Sequence, residues 1–474
     1  MNSRSLKVAL ASVLALCAAV APFSSNAAEG KTKVVFFFDT EDFIQPRSAD
    51  AIRDIANILR DEGVRGQFAM IGYLGKKLVD WRRFDVLDAL KHHLIGTQTL
   101  YHSLHPNITE STDIEDYAKA REHAMNEECR AIGMLEAATG AEKMWCSVLP
   151  GNGNTIVALY LYADLGIPFF GGGTGVYEDV TKCGDIWYCN QRHLNYAYNM
   201  HLESFIPNYI GMRDVDKELA VLAKQKVATL YMHPHMAVCR RHWDFCMKGG
   251  NNHEFGKWPF AEARDPQDTA LFYKRLREFV RRLKNDPRFE VTDCERLYAE
   301  QRPRRGICKA DVPAIRSALR KSFGPIRTPG EWSIADAYQA AVSFLRGEES
   351  FMPGKAYGFL FEPKGVASRT KVRVADLRQA AGNLDLAAFV PPEIPVGGTM
   401  IGPADFLFAA LEAIETGADE ITVEPRDQLG EIATYLPKLA ACKSFAGTWL
   451  YTPEFKDEWI TRRLKWQFWT FRYE

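Results

Sequence analysis

The chain has 474 residues, three units at roughly 150 residues per domain, or fewer if one of them is a barrel. Hydrophobic residues make up 47% and charged residues 25%, which excludes wholesale disorder and a collagen-like repeat. Lys and Arg number 59 against 60 Asp and Glu, and a net charge of −1 gives no electrostatic reason to bind nucleic acid or an anionic membrane.

In chain order, residues 1–28 read first as an export signal. Arg4 and Lys7 make a basic start, Val8 to Val20 a continuous apolar run, and Ser25-Asn26-Ala27-Ala28 a small-residue cleavage region. The apolar run is too short for a bilayer, which needs about twenty residues, so no transmembrane segment is expected in the mature chain. Cleavage removes two positive charges and no negative one, taking the net charge from −1 to −3. The expected location is the periplasm or the exterior. Nine of the ten cysteines follow the signal, and in an oxidising compartment the close pairs Cys183/Cys189 and Cys239/Cys246 are expected to form disulfides.

Lys33 to Phe38 is an apolar, β-rich run whose end presents Asp39, Glu41 and Asp42. Ser48 to Glu62 follows as an amphipathic helix with Ile52, Ile55, Ile58 and Leu59 on one face. Gly66 to Gly72 reads as a second strand and Trp81 to His92 as a helix. Val227 to Met232 reads as a late strand running into His233-Pro234-His235. Strands alternating with helices up to about residue 300 argue for an α/β layer or barrel over 29–300. All eleven histidines lie between His92 and His253, so chemistry that needs imidazole belongs to this part.

A basic linker, Arg302 to Gly306, opens a different region. Residues 301–474 are rich in Ala and Leu and predict a small, mostly helical domain. It carries three similar phrases at Ile334–Tyr338, Val374–Arg378 and Pro403–Leu407, the last two preceded by short extended runs. With Pro395-Val396-Gly397-Gly398, they resemble the pseudomurein-binding repeats of some cell-surface proteins, which would imply association with a cell wall. Phe455, Trp459, Trp466 and Trp469 are spaced as one helical face, expected to be core or interface, with a sugar-stacking platform as the alternative.

Three stretches place metal-compatible groups at strand ends: FFFDTEDF at 36–43, GTQTLYHSLHP at 96–106 and LYMHPHM at 230–236. In this order they resemble the polysaccharide deacetylase family over about residues 30–300. The resemblance implies a distorted (β/α) barrel, a divalent metal ion with zinc as the expected species, and a carbohydrate polymer or oligosaccharide as substrate. It further implies Asp39 as catalytic base, His233 as general acid, and Glu41 or Asp42 with His102 as metal ligands. Residues two apart share a face of a strand, which favours Asp39 with Glu41. Leu149-Pro150-Gly151-Asn152 is similar to the family's Pro-Gly loop. Asp185 and Trp187 fall where the family supplies an acid and an aromatic wall, and His235 is expected near the substrate. Gathering His233, His235, Cys239, His242 and Cys246 into a separate zinc site is a further alternative, although the spacing fits no zinc pattern.

One position departs from the family phrase. Gln98 stands where the first ligand histidine would be, and a glutamine carbonyl is a poor zinc ligand. His105, three residues from His102, is a candidate to compensate if the turn is helical. The sequence therefore leaves three readings open: a metal-dependent amide hydrolase acting on N-acetylated sugars, a relative that binds glycan without turning it over, and a hydrolase of this fold acting on a different carbon–nitrogen substrate.

Overall fold

The computed structural model describes residues 30–171, 182–184, 186–190, 193–194, 199–208, 214–301, 303–441 and 451–473. The expected signal, Asp185 and Cys442 lie outside them. Cys183, Trp187 and Cys189 are described by backbone only.

Eleven strands form the main sheet: β1 (Thr32–Thr40), β2 (Gln67–Met70), β3 (Leu94–Thr97), β4 (Cys146–Val148), β5 (Phe169–Gly171), β6 (Lys182–Cys183), β7 (Ile186–Asn190), β8 (His193–Leu194), β9 (Asn199–His201), β10 (Val227–Met232) and β11 (Phe289–Thr292). Their order is β6-β7-β5-β4-β3-β2-β1-β10-β9, parallel throughout except that β6 and β8 run antiparallel to β7. One edge of β1 pairs with β10; the other pairs with β11 over Thr32–Val35 and with β2 over Phe37–Thr40. The sheet curls without a ladder joining β7 to β9 among the described residues, so the fold is a distorted (β/α) barrel.

Period-two alternation in β1 explains how the site is aimed. Val34, Phe36 and Phe38 pack outward with Ile52, Ile55 and Leu59 of the helix Pro46–Asp61, while Val35 and Phe37 join Ala69, Cys146, Val148, Phe169 and Tyr231 in a second cluster inside the barrel. Asp39 continues the inner row, as His233 continues the row of Tyr231 in β10. The site thus lies at the carboxyl ends of the strands, where loops carry the chemistry of parallel barrels.

The helix expected over Trp81 to His92 is shorter, Phe84–Leu90, and a helix that was not expected, Gly72–Asp80, precedes it; Arg82 between the two has φ of 55°, a left-handed conformation that keeps the later helix from starting at Trp81. Cys239 and Cys246 are free thiols, which corrects the expected disulfide there; Cys239 is buried with its sulfur 3.8 Å from both Gln45 and Ser48.

The three repeated phrases begin the helices Ile334–Leu345, Val374–Asn383 and Pro403–Thr416, with short strands Thr370–Arg373 and Thr399–Ile401 before the last two. The aromatic tail is not one helix: Phe455 precedes the helix Ile460–Trp466, and Trp469 lies in the 3-10 turn Gln467–Thr470. Trp466 and Trp469 are core, as their spacing suggested. This segment binds the barrel through polar contacts as well. Asp113 accepts the backbone N–H groups of Glu458, Trp459 and Ile460 at 2.8, 2.7 and 3.0 Å, and the Tyr160 hydroxyl donates to Gln467 Oε1 at 2.7 Å.

Candidate active site

Asp39, Glu41 and His233 each offer a ligand atom within 4.8 Å of the others. Asp39 and Glu41 are 3% and 5% exposed, and their placement follows from the end of β1: Asp39 closes its inner row and Glu41 follows two residues later. The Tyr231 hydroxyl donates to Asp39 Oδ2 at 3.1 Å. Glu41 takes a donor on each oxygen, Gln98 Nε2 on Oε1 at 2.9 Å and Trp243 Nε1 on Oε2 at 2.8 Å. His102 Nε2 stands 3.3 Å from the same Oε1, and His233 Nε2 stands 3.7 Å from it and 3.8 Å from Asp39 Oδ2.

The strand ends at Met232, and His233, still extended, leads into a 3-10 turn, Pro234–Ala237, so the extended run does not reach His235. Its ring is fixed from behind: Glu203, buried just after β9, accepts the His233 backbone N–H at 2.9 Å and pairs with Nδ1 at 2.8 Å. Nε2 is thereby aimed at the two carboxylates. Burial opposes a charge on this ring, but Glu41, Glu203 and Asp39 together raise its pKa to about 10. Burial pushes Glu41 up to about 8, Asp39 and Asp244 adding to the shift and the His233 charge opposing it. Burial and the His233 charge lower His102 to about 4 against the pull of Asp244, so that ring is neutral and suited to ligation.

Of the two acid pairings left open by the sequence, the structure brings together Asp39 and Glu41. Asp42 turns away to organise the next helix, accepting the backbone N–H groups of Ile44 and Gln45 at 2.9 and 3.1 Å, Gln45 Nε2 at 2.9 Å and the Ser48 hydroxyl. His105 does not join His102 either. Its Nδ1 is 2.7 Å from Glu110 Oε2 and its backbone is held by Asn252, because the turn after His102 is not helical. His235 is 2% exposed, its ring centroid 5.4 Å from those of both His233 and His242. Pro150 and Gly151 form a turn directly after β4, at the same rim, with Gly151 at φ of 57°. The five-residue zinc alternative does not assemble: among the described residues the only cluster with metal-ligand spacing is Asp39, Glu41 and His233. Glu203 and Trp243 were missed by sequence reading. Glu203 sits in a stretch without a motif, and Trp243 reads as core.

A divalent cation fits the donor set. Ligand atoms around a tetrahedral zinc ion lie about 3.3 Å apart, given bond lengths near 2.0–2.1 Å. The 3.3 Å from Glu41 to His102 and the 3.7 Å to His233 are close to that edge. Nδ1 of His102 has no partner, and a histidine anchored through one nitrogen to a carboxylate, as His233 is to Glu203, is a common arrangement around metals. Gln98 opposes this set: its Nε2 already donates to the oxygen that an ion would share, and its own Oε1 is buried without a partner.

Fold and site together define a distorted (β/α) barrel with a carboxylate–histidine centre at its carboxyl rim. No protein-family model and no curated protein matches the chain. Solved structures similar to it include a Mycobacterium smegmatis protein described provisionally as a polysaccharide deacetylase, 16% identical, spanning 58% of this chain and 96% of its own, with a TM-score of 0.37. An allantoinase is 10% identical over 58% of this chain and 92% of its own, TM-score 0.37. A mutant CE4-family pseudoenzyme with restored enzymatic activity is 12% identical over 58% and 70%, TM-score 0.30.

Proposed function

We propose that this protein is an exported, metal-dependent hydrolase of carbon–nitrogen amide bonds that removes acetyl groups from an N-acetylated sugar of a cell-wall or extracellular polysaccharide. The observation that carries the reading is the meeting of Asp39, Glu41 and His233 at the barrel rim, three positions that the motif resemblance also nominates.

Glu41 and His102 would hold the ion, with Asp39 beside it; when bound, it supplies Lewis-acid polarisation of the amide carbonyl and acidifies a water. Asp39, oriented by the Tyr231 hydroxyl, accepts the proton of the attacking water. His233 cannot both bind the ion and deliver a proton from Nε2. Its anchoring by Glu203 and its raised basicity suit the second task, protonation of the leaving amine. A backbone N–H in the Pro150-Gly151 turn after β4 would receive developing negative charge on the carbonyl oxygen.

A specific observation supports a second reading. The Gln98 amide satisfies Glu41 without a metal, as a groove that binds glycan without turnover would require. Acetate release from N-acetylated oligosaccharides, with and without added Zn²⁺ or Co²⁺, separates the two. The hydrolase reading expects metal-stimulated release that falls about 10²- to 10⁴-fold in Asp39→Asn and His233→Ala. Glycan binding without acetate release under any metal would establish the second.

A further inference from the structure

The loop after β3 faces two ways. Thr99 and His102 have φ of 62° and 49°, and these two left-handed residues turn the chain so that Gln98 and His102 meet Glu41 while Leu100 and Tyr101 line a separate cleft of about 720 Å³. That volume lies within the range of small-molecule sites. The cleft has an aromatic side and a polar side. Phe255 is 53% exposed, its ring centroid 5.8 Å from that of Tyr101, and Tyr73 lies 5.2 and 5.5 Å from the two, so an open aromatic edge is braced from behind. Opposite it, His123, Asn126, Glu127 and Arg130 occur at i, i+3, i+4 and i+7 of the helix Tyr117–Thr139, one face directed into the cleft.

Charge on this face is one-sided. Arg130 and His123 make no ion pair with any described residue. The neighbouring Glu127 is occupied by the Leu100 N–H and the Thr99 hydroxyl, and burial raises its pKa to about 7, so its carboxyl only partly cancels the guanidinium. An exposed ring edge beside an unpaired guanidinium suits a ligand with a flat apolar face and a carboxylate.

We propose that this cleft is a saccharide subsite selective for a carboxylate-bearing sugar, whose ring lies on Phe255 and Tyr101 and whose carboxylate pairs with Arg130. The class of ligand, a sugar, rests on the function proposed above; the preference for acid rests on this cleft alone. It would make the acceptor an acidic polymer, or one with acidic residues near the acetylated ones.

Calorimetric titration of the metal-free full chain with tetragalacturonate and with cellotetraose tests it. Tetragalacturonate is expected to bind and cellotetraose to bind at least about tenfold more weakly, a difference of about 1.4 kcal/mol. Arg130→Gln should remove the preference, and Phe255→Ala should weaken both ligands; both positions are exposed, and unchanged melting would show that the fold is intact. Equal binding of the two sugars, no binding of tetragalacturonate, or a preference that survives Arg130→Gln overturns the proposal. Acetate release measured separately distinguishes its failure from that of the hydrolase reading. Release without acidic-sugar binding rejects the subsite alone, and Arg130-dependent binding without release under any metal rejects the hydrolase alone.

Discussion

Glu203→Gln changes one charge and almost no volume at the group that fixes His233. The wild-type carboxylate accepts two N–H groups of the same residue, at 2.9 and 2.8 Å, inside a buried site. A hydrogen bond to a charged group is worth about 1.5–3 kcal/mol, and one pKa unit about 1.4 kcal/mol, so loss of the charge-assisted bond should lower the His233 pKa by about one to two units from its value of about 10. The assay is an NMR titration of the His233 ring in metal-free protein. Linkage supplies a second readout. Because the folded pKa lies above the unfolded value near 6.5, the stability contributed by His233 is fully present below pH 6.5 and is lost as pH rises toward 10. In the variant this loss should be complete by about pH 8–9. A wild-type His233 that titrates near 6.5, or a variant shifted by less than about 0.3 unit, would refute the account of how the ring is held.

Three other outcomes are expected. Zn²⁺ binding at pH 7 should release about one proton per ion, because Glu41 holds a proton there that ligation displaces while His233 keeps its own, and the number should fall as pH rises through 8; titration in buffers of different ionisation enthalpy measures it. Gln98→His should tighten metal binding about tenfold or more by replacing an amide donor with an imidazole, read by competition with a chelating dye, whereas His105→Ala should leave affinity unchanged. Gly96→Ala should lower stability by about 1–3 kcal/mol in urea unfolding, since its Cβ would meet Cys146 Sγ and lie 2.6 Å from the Cys146 carbonyl oxygen across the β3–β4 ladder.

Much of the barrel was legible because its first strands are buried on both faces and write themselves as apolar runs. Thr32–Thr40 and Val227–Met232 emerge within a residue or two of the expected limits, and Ile52, Ile55, Ile58 and Leu59 are all buried on the helix between β1 and β2. The misreadings arose where local pattern competes with backbone conformation. Arg82 in the left-handed region delays to Phe84 the helix that reads as starting at Trp81, and the tail aromatics keep helical spacing while the chain between Phe455 and Trp459 is not helical. Cysteine spacing misled at Cys239 and Cys246 because proximity in sequence says nothing of where a buried thiol is directed.

The site was legible in its acids and its late histidine, and illegible in what holds them. Period two places Asp39 and Glu41 together, and the sequence could rank that pair above Asp39 with Asp42; it could not show that Asp42 is consumed by the backbone of the following turn. Glu203 lies thirty positions from His233 and carries no spacing signal, yet its carboxylate determines which imidazole nitrogen faces the carboxylates. Gln98 sharpens the point. From its identity alone it is a lost ligand; in place, it is a donor that saturates one oxygen of Glu41 while its own carbonyl lies buried without a partner. A site emptied of function would tend to fill such a gap with an apolar side chain, because an unpaired buried carbonyl costs about 1–3 kcal/mol. Its retention beside a neutral His102 and a basic His233 is the arrangement expected of a centre that still has something to bind.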